Sequence, residues 1–185
     1  MKVAVLDHGM GNLRSVAKAL AAAGGDVIVT GESPEIERAD ALCVPGQGIF
    51  GRCVDNLAES GNDDLIRSWI ADDRPFLGIC LGMQILFERS DENEVKGLGI
   101  LPGEVRRLPP ILTVPHIGWN EVRDTHYYFD HSYAVHPADE SIVEGWCEHG
   151  ERFAAAVRTR SVFAVQFHPE KSGTAGIDLL KGWIR

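Results

Sequence analysis

The sequence predicts an α/β fold: a mainly parallel central sheet flanked by helices, with antiparallel strands added in the C-terminal half. Short apolar runs alternate with helical patterns through the first half of the chain. From about Gly99 onward, strand-like segments follow one another with few helical runs between them. Alternation of the first kind is typical of parallel strands covered by helices on both faces. We expect the later strands to join the same sheet or to form a small sheet packed on it.

The individual elements are predicted from apolar periodicity and from turn and capping residues. Strands of the first half are predicted at residues 2–6, 27–30, 41–44 and 75–79. Helices are predicted at 13–23, from 33 onward, and at 49–59, 63–71 and 81–89. Asn12 and Ser33 are the expected N-caps, with Pro34 at the first position of the second helix. The second half is predicted to hold strands at 103–108, 113–122, 126–136, 142–147, 153–158 and 161–167, and a closing helix at 175–184.

Length and composition favour one globular domain spanning residues 1–185. A chain of 185 residues suits a single core, and 44% apolar with 24% charged residues is an ordinary globular balance. The formal net charge of −9 argues against nucleic acid as a partner. No apolar stretch reaches membrane-spanning length, and the N-terminal run is too short for a signal peptide. We therefore expect a cytoplasmic protein without a membrane partner.

The strongest local signal is the turn Gly78-Ile-Cys-Leu-Gly82, which follows an apolar strand and precedes a helical pattern. It is the G-x-nucleophile-x-G elbow, with Cys80 where many hydrolases carry Ser. The start of a helix favours a thiolate, and the Leu81 N–H is placed to stabilise an oxyanion. The alternative is a buried cysteine between two packing glycines. The other cysteines are interpreted as small structural hydrophobes outside any disulfide framework: Cys43, Cys53 and Cys147.

A thiol nucleophile needs a base, and the base needs an orienting group. The segment Val165-Gln-Phe-His-Pro-Glu170 offers both. Pro169 favours an extended conformation at His168, and residues two apart in an extended segment project to the same side. We therefore expect Glu170 to hold His168 in one tautomer, although a surface histidine beside a surface acid is the alternative. The remaining histidines lack the spacing of a zinc site, so no metal is expected.

Several motifs together resemble the class I (triad-type) glutamine amidotransferases. Gly78-Ile-Cys-Leu-Gly-Met-Gln84 and Phe167-His-Pro-Glu170 carry the general resemblance. More specific strings, spread over residues 7–172, resemble the glutaminase subunit of imidazole glycerol phosphate synthase. They are Asp7-His-Gly-Met-Gly-Asn-Leu-Arg-Ser15, Pro45-Gly-Gln-Gly48, Pro115-His-Ile-Gly-Trp-Asn120, Tyr128-Phe129, His131-Ser-Tyr133 and Phe167-His-Pro-Glu-Lys-Ser172.

The resemblance implies a flavodoxin-like class I glutamine amidotransferase fold and a reaction. L-Glutamine would be hydrolysed to glutamate and ammonia through a thioester, without a cofactor. Cys80 would be the nucleophile, His168 its base and Glu170 the orienting carboxylate. Ammonia would pass to a separate cyclase subunit, a (β/α)8 barrel, in a heterodimer. That subunit would use it to form imidazole glycerol phosphate and an aminoimidazole carboxamide ribotide in histidine biosynthesis.

The resemblance also assigns supporting residues. The oxyanion would be held by the Leu81 N–H and by an N–H of the loop at Gln47 and Gly48. The residues implied for glutamine contacts are Gln84, Ser132 and Tyr133, and those implied for the partner interface are Asn12, Trp119 and Lys171. By residue type alone, Trp119 and Tyr133 are also compatible with core aromatics, and Lys171 with a solvated charge.

Three positions depart from the pattern expected of the family. His8 replaces a usual Tyr, Gln47 replaces a usual small apolar residue, and Asp130 stands where an apolar residue is common. The long polar side chain of Gln47 is expected to alter how its loop rearranges. Two other functions stay open: a glutaminase for another synthase or a cysteine hydrolase of this fold, and a non-catalytic binding subunit. The Pro115–Asn120 string argues against the first, and the complete triad argues against the second.

Overall fold

Thirteen strands and six α-helices make up the computed structural model, which describes residues 1–185. The strands are β1 (Lys2–Leu6), β2 (Asp26–Thr30), β3 (Ala41–Gly46), β4 (Phe76–Cys80), β5 (Arg89–Ser90), β6 (Val95–Lys96), β7 (Gly103–Arg107), β8 (His116–Val122), β9 (Thr125–His131), β10 (Tyr133–Pro137), β11 (Val143–Glu148), β12 (Arg152–Thr159) and β13 (Val162–Val165). The helices are α1 (Leu13–Ala22), α2 (Ser33–Glu37), α3 (Phe50–Ser60), α4 (Asn62–Ala71), α5 (Leu81–Gln84) and α6 (Gly173–Ile184). Two 3₁₀ turns cover Glu140–Ile142 and Pro169–Lys171.

One sheet of eleven strands runs through the molecule in the order β2-β1-β3-β4-β13-β12-β10-β7-β5-β6, with β11 paired to β12. The first five strands of this order are parallel. Their order is that of the flavodoxin-like fold, with β13 from the end of the chain in the fifth place. Strands β12, β10 and β7 extend the sheet with antiparallel pairings. The predicted α/β fold is therefore confirmed, and β8 with β9 forms the small separate sheet.

Alternating side chains of the parallel strands face two cores, one on each side of the sheet. In β1, Val3 and Val5 point to one core, and Ala4 and Leu6 point to the other. Helices α1 and α6 cover the first core, and α2, α3 and α4 cover the second. Because both faces are buried, the strands read as nearly continuous apolar runs. None of the helices combines the length and the apolar character that crossing a membrane requires.

Two predicted features of the strands and helices were wrong. The predicted strand 126–136 is two strands, because the chain changes sheets at Ser132. Before it, β9 pairs with β8, and after it, β10 pairs with β7. Ser33 is also not an N-cap: Glu32 occupies that position, and its carbonyl accepts the Glu35 and Ile36 N–H groups. Asn12, by contrast, caps α1 as predicted, since its Oδ1 accepts the Ser15 N–H at 3.3 Å.

The helix predicted at 81–89 ends after one turn, at Gln84. Residues 97–101 run beside the following segment and donate their N–H groups to its carbonyls. The bonds include Leu98 to Ile85 at 2.8 Å and Ile100 to Leu86 at 2.8 Å. Those carbonyls are thus paired to a distant segment, so the helix does not continue. A single turn also weakens the macrodipole effect expected at Cys80.

The turn from β4 into α5 is held by close backbone contacts. Cys80 has φ 53° and ψ −107°, a conformation that costs energy for a non-glycine residue. Gly78 and Gly82 on either side leave no room for a side chain. A Cβ at Gly82 would lie 1.8 Å from the Val44 carbonyl oxygen, and one at Gly78 would lie 2.6 Å from the Gly82 oxygen. The elbow is therefore fixed by contact with β3, as the motif predicts.

Replacing Gly82 with Ala should destabilise the fold by about 3 kcal/mol or more, because the new methyl group would overlap backbone that cannot move away cheaply. Urea unfolding measures the change. Gly182, in α6, is the matched control, since a Cβ there would meet nothing within 4 Å. Gly182→Ala should stabilise by roughly 0.5–1 kcal/mol. Equal effects of the two substitutions would contradict this description of the elbow.

Candidate active site

A cleft of about 300 Å³ opens at the carboxyl ends of β3 and β4, beside the turn from β9 to β10. This is where ligands bind in open parallel sheets. Its lining includes every residue that the sequence suggested for the nucleophile, the oxyanion loop and glutamine contacts: Gln47, Gly48, Cys80, Leu81, Gln84, Ser132 and Tyr133. Three segments far apart in the sequence therefore meet at one cavity. A second cleft, of about 370 Å³ between the β8–β9 hairpin and α6, contains none of them.

His168 and Glu170 form a buried pair behind this cleft. Their side chains are 1% and 3% exposed, and His168 Nδ1 lies 2.8 Å from Glu170 Oε1. His168 is extended as predicted, with φ −106° and ψ 95°, but the extended segment ends there, because Pro169 begins a 3₁₀ turn. The Ser172 hydroxyl donates to the His168 carbonyl at 2.6 Å, and the His168 N–H donates to the Tyr128 carbonyl at 2.8 Å. These bonds fix the backbone that presents the imidazole.

The charge of His168 is set by its two neighbours. Burial disfavours the imidazolium, but the Cys80 sulfur and the Glu170 carboxylate outweigh burial and raise the pKa of His168 to about 10. His168 Nε2 and Glu170 Oε2 are buried without hydrogen-bond partners. With Nδ1 bound to the carboxylate, Nε2 is the nitrogen left for proton transfer. The neighbours of His168 therefore favour its imidazolium form, and an imidazolium is the partner that activates a cysteine nucleophile.

The remaining cysteines have no His–Glu pair beside them, although Cys53 Sγ lies 3.9 Å from His8 Nδ1. Burial raises the pKa of Cys43 far above its usual range, and burial also raises the pKa of Cys53 and of Cys147 to about 12 each. A thiol with so high a pKa does not ionise at neutral pH and is inert as a nucleophile. All four cysteines are unpaired, and Cys80 is the one that lies beside the His168–Glu170 pair.

The three positions that depart from the family pattern all contact the oxyanion loop or its surroundings. His8 is 4% exposed, and its Nε2 donates to the Pro45 carbonyl at 2.6 Å. Gln47 Nε2 lies 3.5 Å from Asp130 Oδ2, and the same oxygen accepts a hydrogen bond from Lys171 Nζ at 3.2 Å. His8 thus holds the start of the loop, and Asp130 connects its middle to Lys171.

The residues suggested for a partner interface are accessible at the rim of the site. Asn12 is exposed, and Trp119 is 56% exposed, so Trp119 is not a core aromatic. Trp119 meets Tyr128 edge-on at 6.0 Å between ring centroids, and Lys171 Nζ lies 5.6 Å from the centre of the same ring. Lys171 is therefore held by neighbours rather than solvated freely. Tyr133 is half-buried and packs against the core.

A chain of hydrogen bonds supports the turn after β9. The Tyr133 carbonyl can only accept, so His131 Nδ1, at 2.8 Å, must carry a proton. Neutral His131 then accepts at Nε2 from His116 Nδ1 at 2.9 Å, and His116 Nε2 accepts from Asn120 at 3.2 Å. Burial lowers the pKa of His116 to about 4 and that of His131 to about 3. Both rings are therefore neutral near pH 7, as the chain of donors requires.

Sequence reasoning missed Gln166, which is fully buried and whose Nε2 lies 3.5 Å from the Cys80 sulfur. A signal was present, because Gln166 is a polar residue inside an otherwise apolar segment at the end of a strand. Such a residue needs a buried partner. The structure contains no group of three or more His, Cys, Asp or Glu side chains that could hold a metal ion.

Fold and site together place a cysteine on a strained elbow beside a buried His–Glu pair, at the edge of a flavodoxin-like sheet. The sequence matches the family Glutamine amidotransferase class-I over residues 4–183, and the chain belongs to this family. It is 45% identical to imidazole glycerol phosphate synthase subunit HisH of Dechloromonas aromatica (strain RCB), over 98% of this chain and 95% of that protein. It is also 45% identical to the HisH subunit of Aquifex aeolicus (strain VF5), over 100% and 97% respectively.

Solved structures share the architecture. A crystal structure of a glutamine amidotransferase superposes with a TM-score of 0.78 at 24% identity, over 98% of this chain and 100% of that one. The structure of PurLQS from Thermotoga maritima superposes with a TM-score of 0.73 at 17% identity, over 100% of both chains. At such low identity these likenesses establish the fold alone.

The neutral histidines predict a loss of stability in mild acid. Both folded pKa values lie below the ordinary value of 6.5, so the unfolded chain binds more protons as pH falls from 6.5 toward 4. The free energy of unfolding should fall over that window. In His116→Gln the slope between pH 6.5 and pH 5 should be shallower by up to about 1.4 kcal/mol per pH unit.

Urea unfolding at a series of pH values measures these slopes. The exposed His126, replaced by Gln, is the matched control and should keep the wild-type slope. A His116→Gln slope equal to that of wild type would contradict the neutral, hydrogen-bonded arrangement of His116 and His131.

Proposed function

We propose that this chain is the glutaminase subunit of imidazole glycerol phosphate synthase and uses Cys80, His168 and Glu170 as its catalytic triad. The observation that carries the proposal is the meeting of Cys80, on a strained elbow, with a buried His168–Glu170 pair at one edge of the sheet. The family match and the named relatives support the substrate, L-glutamine. The chain covers nearly the full length of those relatives.

In the first half-reaction, the Cys80 thiolate attacks the side-chain amide carbon of glutamine. The carbonyl oxygen becomes an oxyanion, for which the Leu81 N–H and an N–H of the Gln47–Gly48 loop are the proposed donors. His168 then delivers its Nε2 proton to the amide nitrogen. The carbon–nitrogen bond breaks, ammonia leaves, and a glutamyl thioester remains on Cys80.

In the second half-reaction, neutral His168 takes a proton from a water molecule, which attacks the thioester carbonyl. The same donors stabilise the second oxyanion. Collapse of this intermediate breaks the carbon–sulfur bond, releases glutamate and restores the thiolate beside the imidazolium. Glu170 keeps Nδ1 protonated throughout, so that Nε2 alone transfers protons.

Glutamine recognition is proposed to use the cleft wall formed by Gln84, Ser132 and Tyr133. Gln84 Nε2 is engaged with protein acceptors at 2.9 Å each, which leaves its Oε1 as an acceptor on the cleft side. That oxygen suits the α-ammonium group of glutamine. Ser132 and Tyr133 follow His131, whose hydrogen bonds hold the turn in place.

The partner is proposed to be the cyclase subunit, a (β/α)8 barrel, in a heterodimer. The word subunit in the relatives' names supports a partner chain. The exposed Ile117 and Trp119 lie on one face of β8 near Lys171, at the rim of the site. This surface, with Asn12, is the proposed docking face. Ammonia released beside it would enter the partner and form imidazole glycerol phosphate and an aminoimidazole carboxamide ribotide.

A cytoplasmic location and a single amidotransferase domain over residues 1–185 are parts of this proposal. Four buried cysteines without a disulfide are what a reducing compartment permits.

Cys80→Ala should lower ammonia release from glutamine by roughly 10³-fold or more, because no other group on the elbow can form the thioester. Ammonia is measured with the cyclase subunit and its nucleotide substrate present. Cys147→Ala, a buried cysteine in β11, is the matched control and should keep wild-type turnover. Persistent turnover in Cys80→Ala would refute the triad, and turnover indifferent to the cyclase would refute the assigned partner.

Lys171→Ala should weaken binding of the cyclase or its stimulation of glutaminase activity, because it removes the cation at the proposed docking face. Isothermal titration measures the binding. Lys181, whose only ion pair is with Asp178 on α6, supplies the control Lys181→Ala. Affinity and stimulation that both stay at wild-type values in Lys171→Ala would reject the interface role.

A further inference from the structure

Three buried amide and carbonyl groups lead from the cleft wall to the sulfur of Cys80. Gln84 Nε2 lies 2.9 Å from the Tyr133 carbonyl oxygen and 2.9 Å from Gln166 Oε1, and Gln166 Nε2 lies 3.5 Å from Cys80 Sγ. We infer that Gln166 is a further catalytic residue that donates an N–H to the Cys80 thiolate, with Gln84 fixing the direction of that amide. This inference rests on the proposed role of Cys80 as nucleophile.

The direction of the chain follows from its fixed end. A backbone carbonyl can only accept a hydrogen bond, so the atom of Gln84 that faces Tyr133 must be the amide nitrogen. That nitrogen has two hydrogens, and the second points to Gln166. The facing atom of Gln166 must then be its oxygen, because two amide nitrogens cannot bond to each other. Gln166 is therefore left with its own nitrogen toward Cys80.

The contact favours one protonation state of the sulfur. An N–H donated to an ionised acceptor is stronger than one donated to a neutral acceptor, so the donor stabilises the thiolate more than the thiol. His168 favours the same state from the other side, through charge. The charged and titratable groups that face the sulfur or its cleft are His168, Glu170, Asp130, His131, Glu92 and Tyr133. The Asp130 carbonyl oxygen lies 4.0 Å from the sulfur and can only accept, so Gln166 is the amide donor in contact with it.

Stability does not explain an amide at this position. Gln166 has no exposed surface, between the apolar Val165 and Phe167. An apolar side chain of similar shape often replaces a buried polar group with little loss of stability, provided that no buried donor or acceptor is left without a hydrogen bond. The cost of burying the amide is offset only while both its ends are bonded. One of those ends is the reacting sulfur, which links the choice of Gln to the chemistry of Cys80.

The test follows alkylation of Cys80 by iodoacetamide as a function of pH, with mass spectrometry to identify the modified cysteine. Gln166→Met removes the donor and keeps the bulk. It should move the midpoint of the alkylation profile up by about one pH unit and lower the rate at pH 7 roughly tenfold. Gln166→Glu places a carboxylate oxygen beside the sulfur and should move the midpoint further. Profiles that coincide with wild type in both folded variants would overturn the inference.

The matched control is Asn62→Leu, which replaces an equally buried side-chain amide at the start of α4. Asn62→Leu also removes a buried amide, but one that does not contact the sulfur, so it should leave the alkylation profile unchanged. The comparison therefore separates loss of the donor to Cys80 from a general disturbance of packing. A shift in Asn62→Leu as large as that in Gln166→Met would overturn the inference. The readout needs no turnover: a shifted profile without glutamine hydrolysis would count against the proposed function alone.

Wild-type protein gives a second measurement if the Gln166 variants do not fold. The side-chain amide of Gln166, assigned through its own backbone by NMR, should change chemical shift with pH in step with Cys80 alkylation. That change should vanish in Cys80→Ala. An amide signal that titrates identically with and without the sulfur would overturn the inference.

Discussion

The parallel pairing of β4 with β13 is the constraint on which the whole site depends. Its register sets Ile79 beside Val165, so the two chain segments that leave this pair are neighbours at one edge of the sheet. The first gives the elbow with Cys80, and the second gives Gln166 and the turn with His168. Everything between β4 and β13 in sequence, including the antiparallel extension and the β8–β9 hairpin, is arranged around this junction. Catalytic geometry is thus a consequence of strand order.

Charge and burial act together at this junction. A buried imidazole alone would be neutral, as His116 and His131 are. His168 differs because a carboxylate holds one nitrogen and a sulfur lies beside the other, so the cation is favoured despite burial. The same protein thereby keeps two kinds of histidine: a charged one, His168, to which we assign proton transfer, and neutral ones that hold the Ser132–Tyr133 turn. The Lys171–Asp130 pair links the rim of the site to the oxyanion loop through Gln47.

Local sequence predicted those features whose causes are local. Both ends of strand β1 were predicted correctly. The elbow was also predicted, because its two glycines stand where neighbouring backbone leaves no room for a side chain. Long-range partners decided the rest. The helix after Cys80 is cut short by carbonyl bonds to residues 97–101, and the His168 backbone is fixed by hydrogen bonds with Ser172 and Tyr128 just before the turn at Pro169. Gln166 was not predicted, because its inferred role depends on the orientation of the Gln84 side-chain amide, and that orientation is set only in the folded site.

Cys80 and His168, brought together by strand pairing, are proposed to form a covalent acyl-transfer site. Mass spectrometry can test this on peptides from protein that is quenched in acid during glutamine turnover, with the cyclase subunit present. A glutamyl group is expected on the peptide that contains Cys80, since the thioester lies on the reaction path. A glutamyl group found on any other residue during turnover would contradict it.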